Sequence, residues 1–280
     1  MLKVVQQLKK DKMAVIGMMI ILILTFIAIF APYLSLYNPM EVNMENRLLS
    51  PSEKNPMGTD QLGRDLLSRI VYGTRVSIAA ATMATLMIMI FGVMIGAIAG
   101  YFGGIIDQAI MRIVDVLLAF PNLILTIAIA GMLGPSLINL IIAMTATGWV
   151  GYSRIVRGSV LSVKEKEFVE AARAMGCSNS YIIVRHVIPN IISPVIVIAT
   201  IGMGNTILSI TGLSFLGLGA QPPTPEWGAM LSESKSFMTT APHLMIFPGL
   251  MIMIVVLAFN FLGDGLRDAL DPRLKQVMVK

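Results

Sequence analysis

Six stretches of the chain are apolar over about 20 residues, the length a helix needs to cross roughly 30 Å of hydrocarbon. They occupy 13–33, 76–101, 113–132, 137–156, 188–209 and 244–262. Five meet the length readily; 188–209 carries Pro189 at its start and several polar residues but is long and uncharged. The expected fold is therefore all-α and integral to a membrane, with six transmembrane helices and both termini on one side. Composition agrees: 56% of the 280 residues are hydrophobic and 13% are charged, too few charges to hydrate the surface of a soluble domain. The first apolar stretch far exceeds the roughly 7–15 residues of a signal-peptide core, and no A-x-A site follows it, so it is expected to remain as an anchor. On this reading the chain divides into 1–75, an anchor helix with the segment that follows it, and 76–280, the main transmembrane domain.

Basic residues orient the helices. With the N-terminus, the 101–112 turn, the segment after 156 and the C-terminus in the cytoplasm, only Arg47, Lys54, Arg64, Arg69, Arg75 and Lys235 fall outside. The other fifteen of the 21 Lys and Arg residues fall inside, from Lys3, Lys9, Lys10 and Lys12 at the start to Arg273, Lys275 and Lys280 at the end. The formal charge of +5 is then a topology signal and gives no reason to expect nucleic acid. A single cysteine, Cys177, excludes an internal disulfide and a cysteine-based zinc site. His186 and His243 fall on opposite sides of the membrane by this topology, so no metal site is expected. The sequence contains no G-x-x-x-x-G-K-S/T, H-E-x-x-H or G-x-S-x-G pattern. No catalytic residue is expected, and any ATP that drives this protein must be hydrolysed on another chain.

Within the second apolar stretch Gly92, Gly96 and Gly100 recur every four residues, forming a smooth face that another helix can approach closely. That neighbour could belong to this chain or to a partner. In 188–209, Asn190, Ser193 and Thr200 cluster on one helical face, and Asn205, Thr206 and Ser209 on another. Lipid disfavours such groups, so they should face other helices or a watery path; Asn190, Ser193, Thr200 and Asn205 are the candidates for a pathway. Arg112 and Asp115 stand i,i+3 near the edge of the third stretch and are expected to pair. Met is abundant, but Met19, Met87, Met89, Met94, Met251 and Met253 sit among Leu and Ile, where thioethers pack as adaptable apolar side chains.

Between the fourth and fifth stretches, Phe168, Ala171, Ala172 and Met175 follow i, i+3, i+4, i+7 and predict one apolar face of a short helix. Glu165, Lys166, Glu167, Glu170 and Arg173 occupy the remainder, Gly176 is placed to end it, and 177–180 supplies a turn before a second short helix. A small helix with alanines and mixed charge suits a groove on a partner protein better than a bilayer surface.

Glu170-Ala171-Ala172 followed by Gly176 and Pro189 resembles the EAA loop of ABC-importer permeases. Three further blocks resemble the dipeptide, oligopeptide and nickel branch of that family: Gly58-Thr-Asp-Gln-Leu-Gly-Arg-Asp65, Leu213-Ser-Phe-Leu-Gly-Leu-Gly219 running into Trp227-Gly228, and Asn260-Phe-Leu-Gly-Asp-Gly-Leu-Arg-Asp268 through Asp271-Pro272. The likeness runs from about residue 50 onward and, in this order, fits the C-type permease. It implies half of a translocation pathway for di- or oligopeptides or a nickel chelate, in the membrane of a prokaryotic cell. The implied partners are a second permease, two ATP-binding subunits and an extracytoplasmic substrate-binding protein; the chain itself holds no cofactor. Phe168, Ala171, Ala172 and Met175 would then fill a groove on the ATPase, Glu170 would cap backbone or pair with a basic residue there, and Gly176 would end the coupling helix. Segments 34–75 and 217–243 would face the binding protein. The competing class, a stand-alone secondary transporter or channel, predicts mid-membrane charges or repeated halves, and neither is present in the sequence.

Overall fold

The computed structural model describes residues 7–8 and 10–270, and among these every regular element is helical. The expected contributions of Lys3, Lys9, Asp271, Pro272, Arg273, Lys275 and Lys280 lie outside the described residues. Helix α1 spans Lys12–Leu34, and its N-cap Asp11 accepts hydrogen bonds from the Met13 and Ala14 amides at 2.9 and 3.2 Å. An irregular segment then leads to α2, Leu66–Phe102, where Asp65 caps by accepting from the Ser68 amide at 2.8 Å. The 37 residues of α2 extend for about 55 Å at 1.5 Å per residue, well beyond the hydrocarbon thickness. The helix expected over 76–101 is thus the later part of one uninterrupted element that begins at Leu66, and residue 75 falls within it.

Gly103 and Gly104, with φ of 65° and 54°, turn the chain between α2 and α3. Two successive left-handed residues are strained for any side chain but cost glycine little. Helix α3 covers Gly104–Leu118 and α4 covers Asn122–Leu133, bent from one another by 89°. The straight span expected over 113–132 is therefore incorrect. Pro121 has no amide to donate and its ring clashes with the carbonyl four residues back, so the helix ends before it and restarts after it.

Helix α5, Leu137–Val163, leads into α6, Glu167–Ala174, and then α7, Asn179–Ile182. One π-helical turn, Ile183–Val187, joins α7 to α8, Ile188–Phe215. Helices α9, Trp227–Ser234, and α10, His243–Leu270, complete the described chain. Four segments are long and apolar enough to cross a membrane: α1, α2, Asn179–Phe215 and α10; the bent α3–α4 pair makes a fifth. Helix α5 is long, but Arg154 and Arg157 and a run of polar residues lower its hydropathy.

The principal core gathers α2, α5, α8 and α10 around residues such as Ile70, Ala84, Leu140, Ile207, Trp227 and Val255. Gly92, Gly96 and Gly100 all face α5 of the same chain. A Cβ on Gly96 would lie 2.5 Å from the Ser153 carbonyl oxygen, and one on Gly100 would lie 2.8 Å from Val160 Cβ. Helix α1 docks on α10 in the same manner: a Cβ on Gly17 would lie 2.5 Å from the Ala258 carbonyl. A second cluster, including Tyr101, Val156, Val160, Val169, Ala172, Ile182 and Ile191, ties α6 and α7 to the bundle.

Candidate functional site

Four places on the bundle combine side-chain chemistry with defined geometry. At one end, α6 is held by Val169 and Ala172, 0% and 1% exposed. Phe168, Ala171 and Met175 face outward, Phe168 at 42% and Met175 at 75% exposure. The expected four-residue face is therefore split, and the placing of Ala172 on it is corrected: Ala172 turns inward. The i,i+3,i+4,i+7 pattern counted Ala172 but passed over Val169, whose larger side chain forms the inward stripe with it. Glu170 is exposed. Gly176, at φ 79°, ends the element, with the Cys177 amide donating to the Ala172 carbonyl at 3.1 Å. The outward face is enlarged by an aromatic group that periodicity did not indicate. The His186 ring lies 6.5 Å from Phe168 and 5.7 Å from Tyr181, and Tyr181 is half exposed.

A cavity of ≈ 400 Å³ lies between α4, α5 and α8, within the range of roughly 300–1,000 Å³ usual for small-molecule sites. Its polar lining is Asn122, Thr126, Tyr152, Asn205, Thr206 and Ser209, and no charged side chain lines it. Thr126 and Thr147 hydroxyls are 2.8 Å apart, and the Asn122 carboxamide donates to the Thr147 carbonyl at 3.3 Å. Of the four expected pathway residues only Asn205 lines this cavity. Asn190 instead donates to the His186 carbonyl at 2.6 Å, Thr200 to the Ile196 carbonyl at 2.9 Å, and Ser193 is exposed elsewhere on α8. Asn122, Thr126 and Tyr152 come from α4 and α5, where isolated polar residues in apolar runs gave no pattern to single them out.

Between the cavity and α6, Arg157 grips Asp107 with two hydrogen bonds of 2.5 and 2.6 Å, and Arg154 lies 3.5 Å from Asp115. The expected Arg112–Asp115 pair is not formed. Helix α3 lies along α5, so its carboxylates meet the α5 arginines rather than a residue of their own helix.

At the far end, Asp60, Arg64, Arg69 and Glu233 form a buried ion cluster, with both arginines 1% exposed. Arg64 donates to Asp60 and to Glu233, each at 2.6 Å, and Arg69 donates to the same Glu233 oxygen at 3.0 Å. The Asp60 carboxylate also receives the Leu62 and Arg64 amides at 2.9 and 3.0 Å, which folds the 58–65 block on itself. Close by, Glu226 is fully buried as the N-cap of α9, accepting from the Ala229 amide at 2.9 Å and the Ser77 hydroxyl at 3.2 Å. Burial pushes its carboxyl pKa up, against the pull of the amides that donate to it. The Trp227 indole is buried against α2 where Gly73 leaves room for it, a Cβ there lying 2.9 Å from the ring. The 58–65 block is thus tied through Glu233 to the helix α9 that Trp227 and Gly228 begin.

A family model described as binding-protein-dependent transport system inner membrane component matches residues 92–276. A second, the N-terminal TM domain of oligopeptide transport permease C, matches residues 2–51. The dipeptide transport system permease protein DppC of Alkalihalophilus pseudofirmus is 50% identical over 270 residues, covering 96% of this chain and 89% of that protein. The DppC of Haemophilus influenzae is 44% identical, covering 96% of this chain and 93% of that protein. The glutathione transport system permease protein GsiD of Pectobacterium atrosepticum is 45% identical, covering 95% and 89%. Among solved structures, an inward-facing MetNI methionine ABC transporter chain superposes with a TM-score of 0.57 at 18% identity, covering 74% of this chain and 98% of that one.

Proposed function

Because the chain belongs to the family of binding-protein-dependent transport system inner membrane components, and is the permease subunit of an ABC importer, we propose that it forms half of a peptide pathway driven through α6. Two of the relatives above are named for dipeptides and one for glutathione, itself a short peptide. A cavity lined by carboxamides and hydroxyls but no charge suits a substrate whose constant feature is its amide backbone. Such a lining hydrogen-bonds any peptide without selecting the charge of its side chains.

The observation that carries the reading is the division of labour within α6. Its Val169–Ala172 stripe fixes it to the bundle, leaving Phe168, Ala171 and Met175 as an apolar face that stays exposed among the described residues. That is the form of a helix that inserts into a groove on another protein, here an ATP-binding subunit. In this assembly α5 is the sixth span. Its two arginines lie toward the α6 end and meet Asp107 and Asp115 there, and the excess of basic residues assigns that end, with both termini, to the cytoplasm of a prokaryotic cell. A second permease, two ATPase subunits and an extracytoplasmic binding protein complete the machine, and ATP hydrolysis takes place on the partners.

The test is the complete importer in proteoliposomes, supplied with dipeptide, with nickel, or with both. ATP-dependent dipeptide uptake that nickel does not compete against is the expected result. Phe168→Asp combined with Met175→Asp should leave the chain inserted and folded yet abolish uptake and detach the ATPase subunits. Normal uptake by that double variant would refute docking through α6. Ala172→Arg, by contrast, should lower the yield of folded protein, because it places a charge in the packed cluster.

A further inference from the structure

The geometry points to Tyr152 as a width gate at the α6 end of the cavity, with Gly202 supplying the space its ring needs. The inference rests on reading the cavity as the peptide route. Helix α5 lines the cavity from Met144 to Tyr152 and then continues to α6, whereas α8 runs the opposite way, lining it from Gly202 to Leu213. Tyr152 and Gly202 therefore stand together at the end nearer α6.

The ring is fixed at its base and loosely held at its tip. A Cβ on Gly92 would collide with Tyr152 Cβ, so α2 leaves the base no room to retreat. The hydroxyl donates to the Ile198 carbonyl at 3.4 Å, longer than a well-formed hydrogen bond and correspondingly weak. A Cβ on Gly202 would lie 2.6 Å from the Tyr152 hydroxyl oxygen and 3.8 Å from Cζ, and would meet no other residue within 4 Å. One oxygen atom is thus the close contact that a Cβ at 202 would make among the described residues. Adding a methyl group there must swing the tip of the ring away from α8, and the open side is the cavity. Asn122 and Asn205 line the same passage without charge, so the constriction sorts what passes by bulk.

The atomic detail gives a sharp test. In a Cys177→Ser background carrying Asn205→Cys, a membrane-impermeant thiol reagent is applied to the cytoplasmic face of inverted vesicles that contain the whole importer. Gly202→Ala should slow labelling several-fold and Tyr152→Ala should speed it several-fold. Gly202→Ala combined with Tyr152→Phe should return the parent rate, because the phenyl ring keeps only the 3.8 Å contact. Equal slowing in Gly202→Ala with and without Tyr152→Phe would overturn the gate, since a disturbance of helix packing is not relieved by removing one oxygen. Unchanged labelling in all three variants would overturn it as well. Uptake by the native-cysteine importer supplies the second arm: Gly202→Ala should reduce ditryptophan uptake more than diglycine uptake, and Tyr152→Phe should restore the ratio. An unchanged ratio would count against the gate. Labelling that follows the expected pattern while the parent importer carries neither peptide would uphold the gate and refute the peptide reading.

Discussion

Arg64→Ala is expected to destabilise the protein by about 3–5 kcal/mol, the usual cost of removing one partner from a buried ion pair. The magnitude follows from what is left behind. Asp60 and Glu233 each lose a hydrogen bond of 2.6 Å from the same guanidinium, and Arg69 alone must then neutralise both carboxylates in a site that water barely reaches. A surface charge in the same region, Lys54, provides the control: it is exposed and makes no ion pair among the described residues, so Lys54→Ala should stay within about 0.5 kcal/mol of the parent. Thermal unfolding of the purified complex, compared across the two variants, reads the difference. A midpoint for Arg64→Ala equal to that of Lys54→Ala would show that the cluster does not hold the 58–65 block to α9.

Gly96→Leu should be strongly damaging to the packing of α2 on α5. Overpacking of a tight core costs about 1–3 kcal/mol and occasionally more, and here the clash begins at the first side-chain atom. A Cβ at 96 lies 2.5 Å from a backbone oxygen of α5 and 2.8 Å from Val156 Cβ, and backbone cannot rotate away as a side chain can. The α2–α5 interface has to separate, which also displaces Tyr152 and the cavity wall. Gly158→Leu is the comparison, because a Cβ there has nothing within 4 Å. Loss of monodisperse protein for the first and not for the second is the expected outcome; equal yields would contradict the close approach of the two helices.

Much of the architecture is written in periodicities that a membrane makes unambiguous. Apolar length alone located α1, α2, α8 and α10, because lipid imposes a minimum that soluble cores do not. The break at Pro121 was missed for the same reason: hydropathy is blind to backbone direction, and only the missing amide marks the bend. In α6 the pattern gave the helix, its end at Gly176 and most of its exposed face. It misassigned Ala172 because alanine is small enough to satisfy an apolar pattern on either side of a short helix. The ion pairs could not be read at all. Asp115 pairs with Arg154 across 39 positions of sequence only because α3 folds back along α5, and the Arg64–Glu233 contact joins residues 169 apart. Local spacing cannot anticipate partners that topology supplies. The glycine ladder at 92, 96 and 100 was legible as a contact surface, while the identity of the opposing helix required the fold.

Helix α2 deserves its length. Near its start Arg69 is bound to Glu233, and near its end the Tyr101 hydroxyl donates to Asn179 at 3.0 Å beneath the Arg173 guanidinium. No proline interrupts the 37 residues between Leu66 and Phe102, and its glycines are braced against α5. The helix is therefore one unbroken piece of backbone with a contact at each tip and a middle packed closely on α5. On the docking proposed above, a tilt imposed at α6 would reach the far clamp through one piece of backbone, which would couple the two mouths of the bundle without a relay of side chains.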